Sequence, residues 1–166
     1  MESDREAFSA WAAAAQHGLL RTAVLLTGDH HRAEDLVQEA LTKVAQRWPR
    51  LSGEHPGAYA RQILVRDNIS WWRRHRRQVV AEAEPPPALS ADPAVDRRIM
   101  LEEALARLTP RQRSVVVLRY YEDLTAQQAA DVMRVSVGTV KSQTHLALRR
   151  LREGAPELAA LLEETT

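Results

Sequence analysis

The stretch TAQQAADVMRVSVGTVKSQTHLALRRLR, Thr125 to Arg152, decides the fold. Thr125-Ala126-Gln127-Gln128 has the form of a capping box, in which the threonine hydroxyl and the glutamine amide satisfy backbone N–H groups left free at a helix start. The helix it opens runs to Met133; after Arg134-Val135, Ser136 caps a longer helix from Val137 to Arg152 or so. Short helix, tight turn and long helix make a helix-turn-helix. Successive residues of the second helix rotate by about 100°. Val140, Thr144, Ala147 and Leu151 therefore share a stripe toward a core, while Ser142, His145, Leu146 and Arg149 point away. With Ser136, Thr139 and Lys141 at the amino end, this outward set offers hydroxyls, cations and an imidazole to base edges and phosphates, and Leu146 offers an apolar contact to a thymine methyl. A helical hairpin with a solvated basic exterior is the bland alternative, and caps, turn length and stripe together weigh against it.

Working outward, Thr109-Pro110-Arg111-Gln112 is a second capping box with proline in the first turn. Val115-Val116-Val117 suits a strand, but the cap and the lack of a second strand to pair with favour helix through Tyr121. A short helix over Arg97–Leu108 precedes it. Gln78 to Val95 reads QVVAEAEPPPALSADPAV, in which four prolines, small residues and acids replace any apolar periodicity. It is a flexible linker, drawn at 78–96, whose extended reach of about 60 Å would let two modules touch separated sites on one duplex.

Residues 1–77 read as three helices. Ser3-Asp4-Arg5-Glu6 is a capping box for the first, with Phe8, Trp11, Ala12, Ala15, Leu19 and Val24 as its stripe and Gly28 as its end. Asp29 caps the second, whose stripe is Ala33, Leu36, Val37, Ala40, Leu41, Val44, Ala45 and Trp48 before Pro49 stops it. The third runs from Pro56 to near Arg77. The expected fold is thus all-α: two small helical domains, a three-helix-type bundle over 1–77 and a helix-turn-helix domain over 97–155, joined by the proline-rich linker and followed by a tail at 156–166.

Across the 166 residues the formal charge is only +1, yet it is segregated. Arg61 to Arg77 holds six arginines against one aspartate, and Arg107 to Arg152 nine cations against three acids. Two basic blocks in an otherwise acidic chain point to a polyanion. In the first block Trp71-Trp72 stands directly before Arg73-Arg74-His75-Arg76-Arg77. Adjacent helix residues diverge, so one tryptophan is expected in the bundle core and the other free to stack on an unpaired base while arginines neutralise phosphates.

Other chemistries are poorly served. There is no cysteine, which removes disulfides and thiolate sites and fits a reducing cytosol. The start of the chain lacks a basic region followed by an apolar one, so neither export nor membrane insertion is expected. His30 and His31, with Glu34 and Asp35 nearby, are the residue types of a metal site, but adjacent histidines diverge on a helix and the acids suit its first turn better. No glycine-rich phosphate loop and no nucleophile setting occur, so no metal, cofactor or catalytic residue is expected.

These residues resemble a known family. Asp29–Trp48, with Ala33-Glu34-Asp35-Leu36-Val37-Gln38-Glu39-Ala40, is similar to the core-polymerase-binding helix of bacterial sigma factors. Tyr59–Arg77 resembles the helix that reads and melts the −10 element, and Leu101–Arg152 the module that reads the −35 element. Two such modules with a short linker resemble the extracytoplasmic-function group, and Trp71-Trp72-Arg73-Arg74 with Lys141-Ser142-Gln143-Thr144 resembles an actinobacterial SigE-like subgroup. The resemblance implies a cytoplasmic, non-enzymatic initiation factor that joins core RNA polymerase, its beta and beta-prime subunits, to promoter DNA and commonly pairs with an anti-sigma factor. It implies polymerase contacts at Asp35, Gln38, Glu39 and Thr42. Contacts to the −10 element fall at Arg61, Arg66, Asn68, Trp71, Trp72, Arg73, Arg74, Arg76 and Arg77. Contacts to the −35 element fall at Arg111, Ser136, Thr139, Lys141, Ser142, His145, Leu146 and Arg149. The chain departs from the family pattern at Arg66, where asparagine is expected and Asn68 is the candidate substitute on another face, and at His145-Leu146, so a different promoter preference is expected. A LuxR-type regulator, which binds duplex DNA unaided as a dimer, shares the second module but leaves Asp29–Arg77 unexplained. A helical protein that uses its basic helix on an acidic partner or membrane surface has no use for a helix-turn-helix.

Overall fold

The helix starts capped by Asp29, Thr109, Thr125 and Ser136 form where the sequence requires them. The computed structural model describes residues 2–81 and 92–165, with side chains for 3–76 and 92–165. Asp29 caps α2 (His30–Gln46) by accepting from the Arg32 N–H at 2.8 Å. Thr109 and Thr125 close complete capping boxes on α6 (Pro110–Val116) and α7 (Ala126–Met133), and Ser136 accepts from the Thr139 N–H at the head of α8 (Val137–Gly154). The remaining helices are α1 (Glu2–Thr27), α3 (Trp48–Leu51), α4 (Pro56–Ala81), α5 (Pro93–Ala106) and α9 (Pro156–Glu164). Val117–Tyr121 continues α6 as one π-turn, so the valine run is helical. No described helix is long and apolar enough to cross a membrane.

Several expectations are corrected. α1 already runs at Glu2, which puts Ser3 inside the helix rather than at its cap. The buried α1 residues are Leu19, Thr22, Ala23, Leu26 and Thr27, whereas Phe8 and Trp11 are half-buried around Trp48, with ring centroids 5.4 and 5.6 Å from it. Ala45 is exposed, one position off the buried α2 stripe. Of the expected linker, 78–81 belong to α4 and Pro93 opens α5 under an Asp92 cap, while 82–91 lie outside the described residues. The expected tail is α9: Leu158, Ala159 and Leu162 form a short apolar stripe that packs beside Leu151 of α8, and Pro156 is tolerated in its first turn.

The two halves do not stand apart. α1, α2 and α4 form the first bundle around Leu26, Ala33, Val44 and Leu64, and that core runs on into Val115, Val117, Leu118, Ala129 and Ala130 of the second half. α4 lies against α7 and α6, and α1 against α6 and the π-turn. Fully burying a valine or leucine is worth about 1.5–3 kcal/mol; Leu118, at 0% exposure, gains it in the shared core.

Candidate nucleic-acid interface

α8 is fixed from behind. Val140, Ala147 and Leu151 are each 0% exposed, and Thr144 turns its hydroxyl back to the Val140 carbonyl at 2.8 Å. The 3.6-residue period then leaves Lys141, Ser142, His145, Leu146 and Arg149 exposed along the opposite side. Ser136 is exposed too, and its hydroxyl lies 2.9 Å from that of half-buried Thr139. Arg134 makes the tight turn into the helix by adopting φ 53°, the left-handed conformation that ends α7. Arg111 is exposed in the first turn of α6. The amino end of an 18-residue helix also carries the positive end of its dipole, favourable for phosphate.

The far end of α4 is assembled from three helices. The Arg32 guanidinium of α2 sits 3.3 Å from the centre of the Trp71 ring and 5.3 Å from that of Trp72, while His75 stacks on Trp71 at 4.4 Å and 15°. Two groups so close cannot share one face, so both faces of the Trp71 indole are covered. Trp72 meets Trp71 edge-on at 5.5 Å. Both indoles are half-buried. The expectation that one would enter the core is therefore wrong, because the aromatic core position is filled by Trp48 instead.

Asn68 is also corrected. At 1% exposure it donates to the Leu26 carbonyl at 3.1 Å and accepts from Arg32 at 3.0 Å. It is a strut between α1, α2 and α4, with no surface to offer a DNA strand here. Burial pushes the Arg32 guanidinium down to about 10, opposed by Asp29, so it stays cationic at neutral pH and its contact with the indole is a cation–π interaction. Arg66, Arg73, Arg74 and Arg76 are exposed on α4; the side chain of Arg77 lies outside the described residues.

On α2, Asp35, Gln38, Glu39 and Thr42 all face solvent. The Thr42 hydroxyl returns to the Gln38 carbonyl at 2.8 Å. Glu39 pairs with Lys43 at 2.8 Å, and Lys43 reaches Asp67 of α4 at 2.6 Å. Those hydrogen bonds, Asp67 first and Glu39 second, raise the Lys43 ammonium above its ordinary value. His30 and His31 both lean on Glu34, at 3.2 and 3.8 Å.

Arg61 is placed differently from its basic neighbours. Its Nε contacts Glu122 at 3.0 Å, and the other Glu122 oxygen accepts from the Thr22 hydroxyl, so one carboxylate just past the π-turn ties the second half to α1 and α4. Arg113 of α6 makes a second tie by donating from Nε to the Leu25 carbonyl. Sequence reading missed Arg32, His75, Glu122 and Arg113. His75 was within reach, being one helical turn from Trp71. Nothing local announces the others, whose partners lie 36 to 100 residues away.

Residues 13–78 match the model of Sigma-70 region 2 and residues 104–153 that of Sigma-70, region 4. The chain is 38% identical over 142 residues to an RNA polymerase sigma-E factor of Streptomyces avermitilis, covering 83% of this chain and 79% of that one. It is 35% identical over 152 residues to the ECF RNA polymerase sigma factor SigL of Mycobacterium tuberculosis, covering 84% of each. Among solved structures it resembles the sigma factor RpoE bound to the anti-sigma factor NepR from Bartonella quintana, with a TM-score of 0.66 and 26% identity over 88% of this chain and 94% of that one.

Proposed function

This chain belongs to the sigma-70 family as an extracytoplasmic-function RNA polymerase sigma factor, and from that premise we propose that α2 docks it on core polymerase, the end of α4 opens the −10 element and α8 reads the −35 element. It directs promoter-specific initiation in the cytoplasm. Phosphoryl transfer belongs to the polymerase, and this chain supplies recognition and strand separation.

The observation that carries the division is the half-exposed Trp71–Trp72 pair flanked by exposed Arg66, Arg73, Arg74 and Arg76. Unstacking a base costs a few kcal/mol. Stacking on an aromatic side chain returns about 1–3 kcal/mol per base, and the arginines neutralise the strand that bends away. A base reaches the Trp71 face that His75 covers only when His75 swings aside and gives up its 2.9 Å contact with the Trp71 carbonyl. On the other module, Lys141 and Arg149 suit phosphates or guanine edges, and Ser142, His145 and Leu146 suit the bases between. Asp35 and Gln38, acidic and polar on a rigid helix, suit a basic polymerase surface. In the packed arrangement Arg61 is spent on Glu122, so its use on DNA requires that pair to break and the halves to part.

A chain with a net charge of +1 has little long-range pull on duplex DNA. Gel-shift titration of a natural promoter is therefore expected to show weak binding by the isolated chain and tight binding once core polymerase is added. Tight, sequence-specific binding by the chain alone as a dimer is the behaviour of a LuxR-type regulator and would refute the proposal.

A further inference from the structure

A cavity of about 630 Å³ opens where the two halves meet, walled by α1, α5, α6 and the π-turn. Leu20, Val24 and Leu25 of α1 and Leu101 and Leu105 of α5 make it largely apolar. Arg113 lines it at 6% exposure. Its Nε donates to Leu25, while Nη1 and Nη2 form no hydrogen bond among the described residues and keep solvent access through the cavity. Those two nitrogens carry four N–H donors.

The guanidinium is held against Gly28, where a Cβ would come within 3.2 Å of Nη2 and the backbone already sits at φ +71°. Glycine is needed there for both reasons. Burial pushes Arg113 down to about 10, with Glu102 opposing the shift, so the group is charged at neutral pH. A largely buried cation whose free donors face only the water of an apolar cavity is well placed to take an anion there. Among the described lining residues the one carboxylate, Glu102, is engaged by Arg98 Nε at 2.9 Å.

We propose that this cavity binds an amphiphilic carboxylate, its head taken in a two-point grip by Nη1 and Nη2 of Arg113 and its apolar body laid between α1 and α5. The volume falls in the range of about 300–1,000 Å³ that holds small organic ligands, and one convergent polar group among apolar walls is their usual setting. A planar fork matched to a planar carboxylate is the strong form of that contact. Arg21 and Arg98 on the same lining add positive potential. Because the walls come from both halves, an occupant fastens the halves together. The proposal stands whether or not the assignment of DNA contacts above holds.

Calorimetric titration of the full chain with laurate below its micelle concentration, against dodecanol of the same length, tests it. Laurate is expected to bind one to one and to raise Tm by about 5–10 °C at a hundredfold excess over its Kd, with dodecanol at least about tenfold weaker. Arg113→Gln should cost laurate about tenfold or more. Glu102→Gln, at a position whose side chain is 48% exposed and safe for folding, should bind laurate several-fold tighter because a repelling carboxylate is gone and Arg98 is released. If Arg113→Gln does not fold, Glu102→Gln decides the matter. Equal binding of laurate and dodecanol, an equal shift with inorganic sulfate, or unchanged laurate affinity in Glu102→Gln would overturn the proposal.

Discussion

On α8, Lys141, Ser142, His145 and Arg149 point outward because Val140, Ala147 and Leu151 point inward, and helix geometry alone settles their direction. At the end of α4, Trp71 stands where it does because Arg32 from α2 covers one face, His75 covers the other, and Asn68 ties that arginine to α1. Residues of the first kind can be exchanged singly with little effect on the fold. Those of the second kind are held by one another, so a change at any of them reaches the rest. An interface that reads duplex DNA can be a rigid rail of independent contacts, whereas one that must receive an extruded base needs a preformed aromatic clamp.

The contrast is broken or sharpened most strongly at Trp71. Trp71→Ala is expected to weaken promoter opening by about 1–3 kcal/mol, roughly five- to 150-fold, seen as lost permanganate reactivity in the bubble while closed-complex binding stays nearly constant. Asn68→Ala should lower folding stability by about 1–3 kcal/mol in urea unfolding, since the Leu26 carbonyl and the half-buried Arg32 lose a partner together. An unaltered midpoint would show that the clamp is not cooperative. On α8, Lys141→Ala should leave the unfolding midpoint in place, weaken −35 binding across sequences and reduce the salt slope by about one. The smallest effect belongs to Lys43→Gln. The Lys43 ammonium is raised above 10.5 by Asp67 and Glu39, so its ion pairs contribute fully below that pH and fade as pH rises through the raised value. With 38% of the side chain exposed, screening holds their contribution under about 1 kcal/mol. The destabilisation of Lys43→Gln should therefore be small at neutral pH and vanish in strong alkali.

The same contrast explains what could be read without coordinates. Thr109, Thr125 and Ser136 act on the backbone three residues away, so three helix starts and the outward face of α8 followed from local rules. The depth of the tryptophans depended on which aromatic filled the first bundle, and Trp48 with Phe8 and Trp11 filled it. Asn68 looked like a surface amide because its partners, Leu26 and Arg32, are remote in sequence. The packing of the two halves was hidden for the same reason. Ala129 and Ala130 are small enough to let α7 approach α4, but their periodicity equally suits an independent helix-turn-helix.

Run-off transcription on a natural promoter, with purified core polymerase and this chain as the sole initiation factor, tests the central claim most directly. Transcripts from a defined start, absent without the chain and lost with Trp71→Ala, are the predicted result. A chain that fails to associate with core polymerase, or leaves it unable to start at any mapped site, contradicts the account.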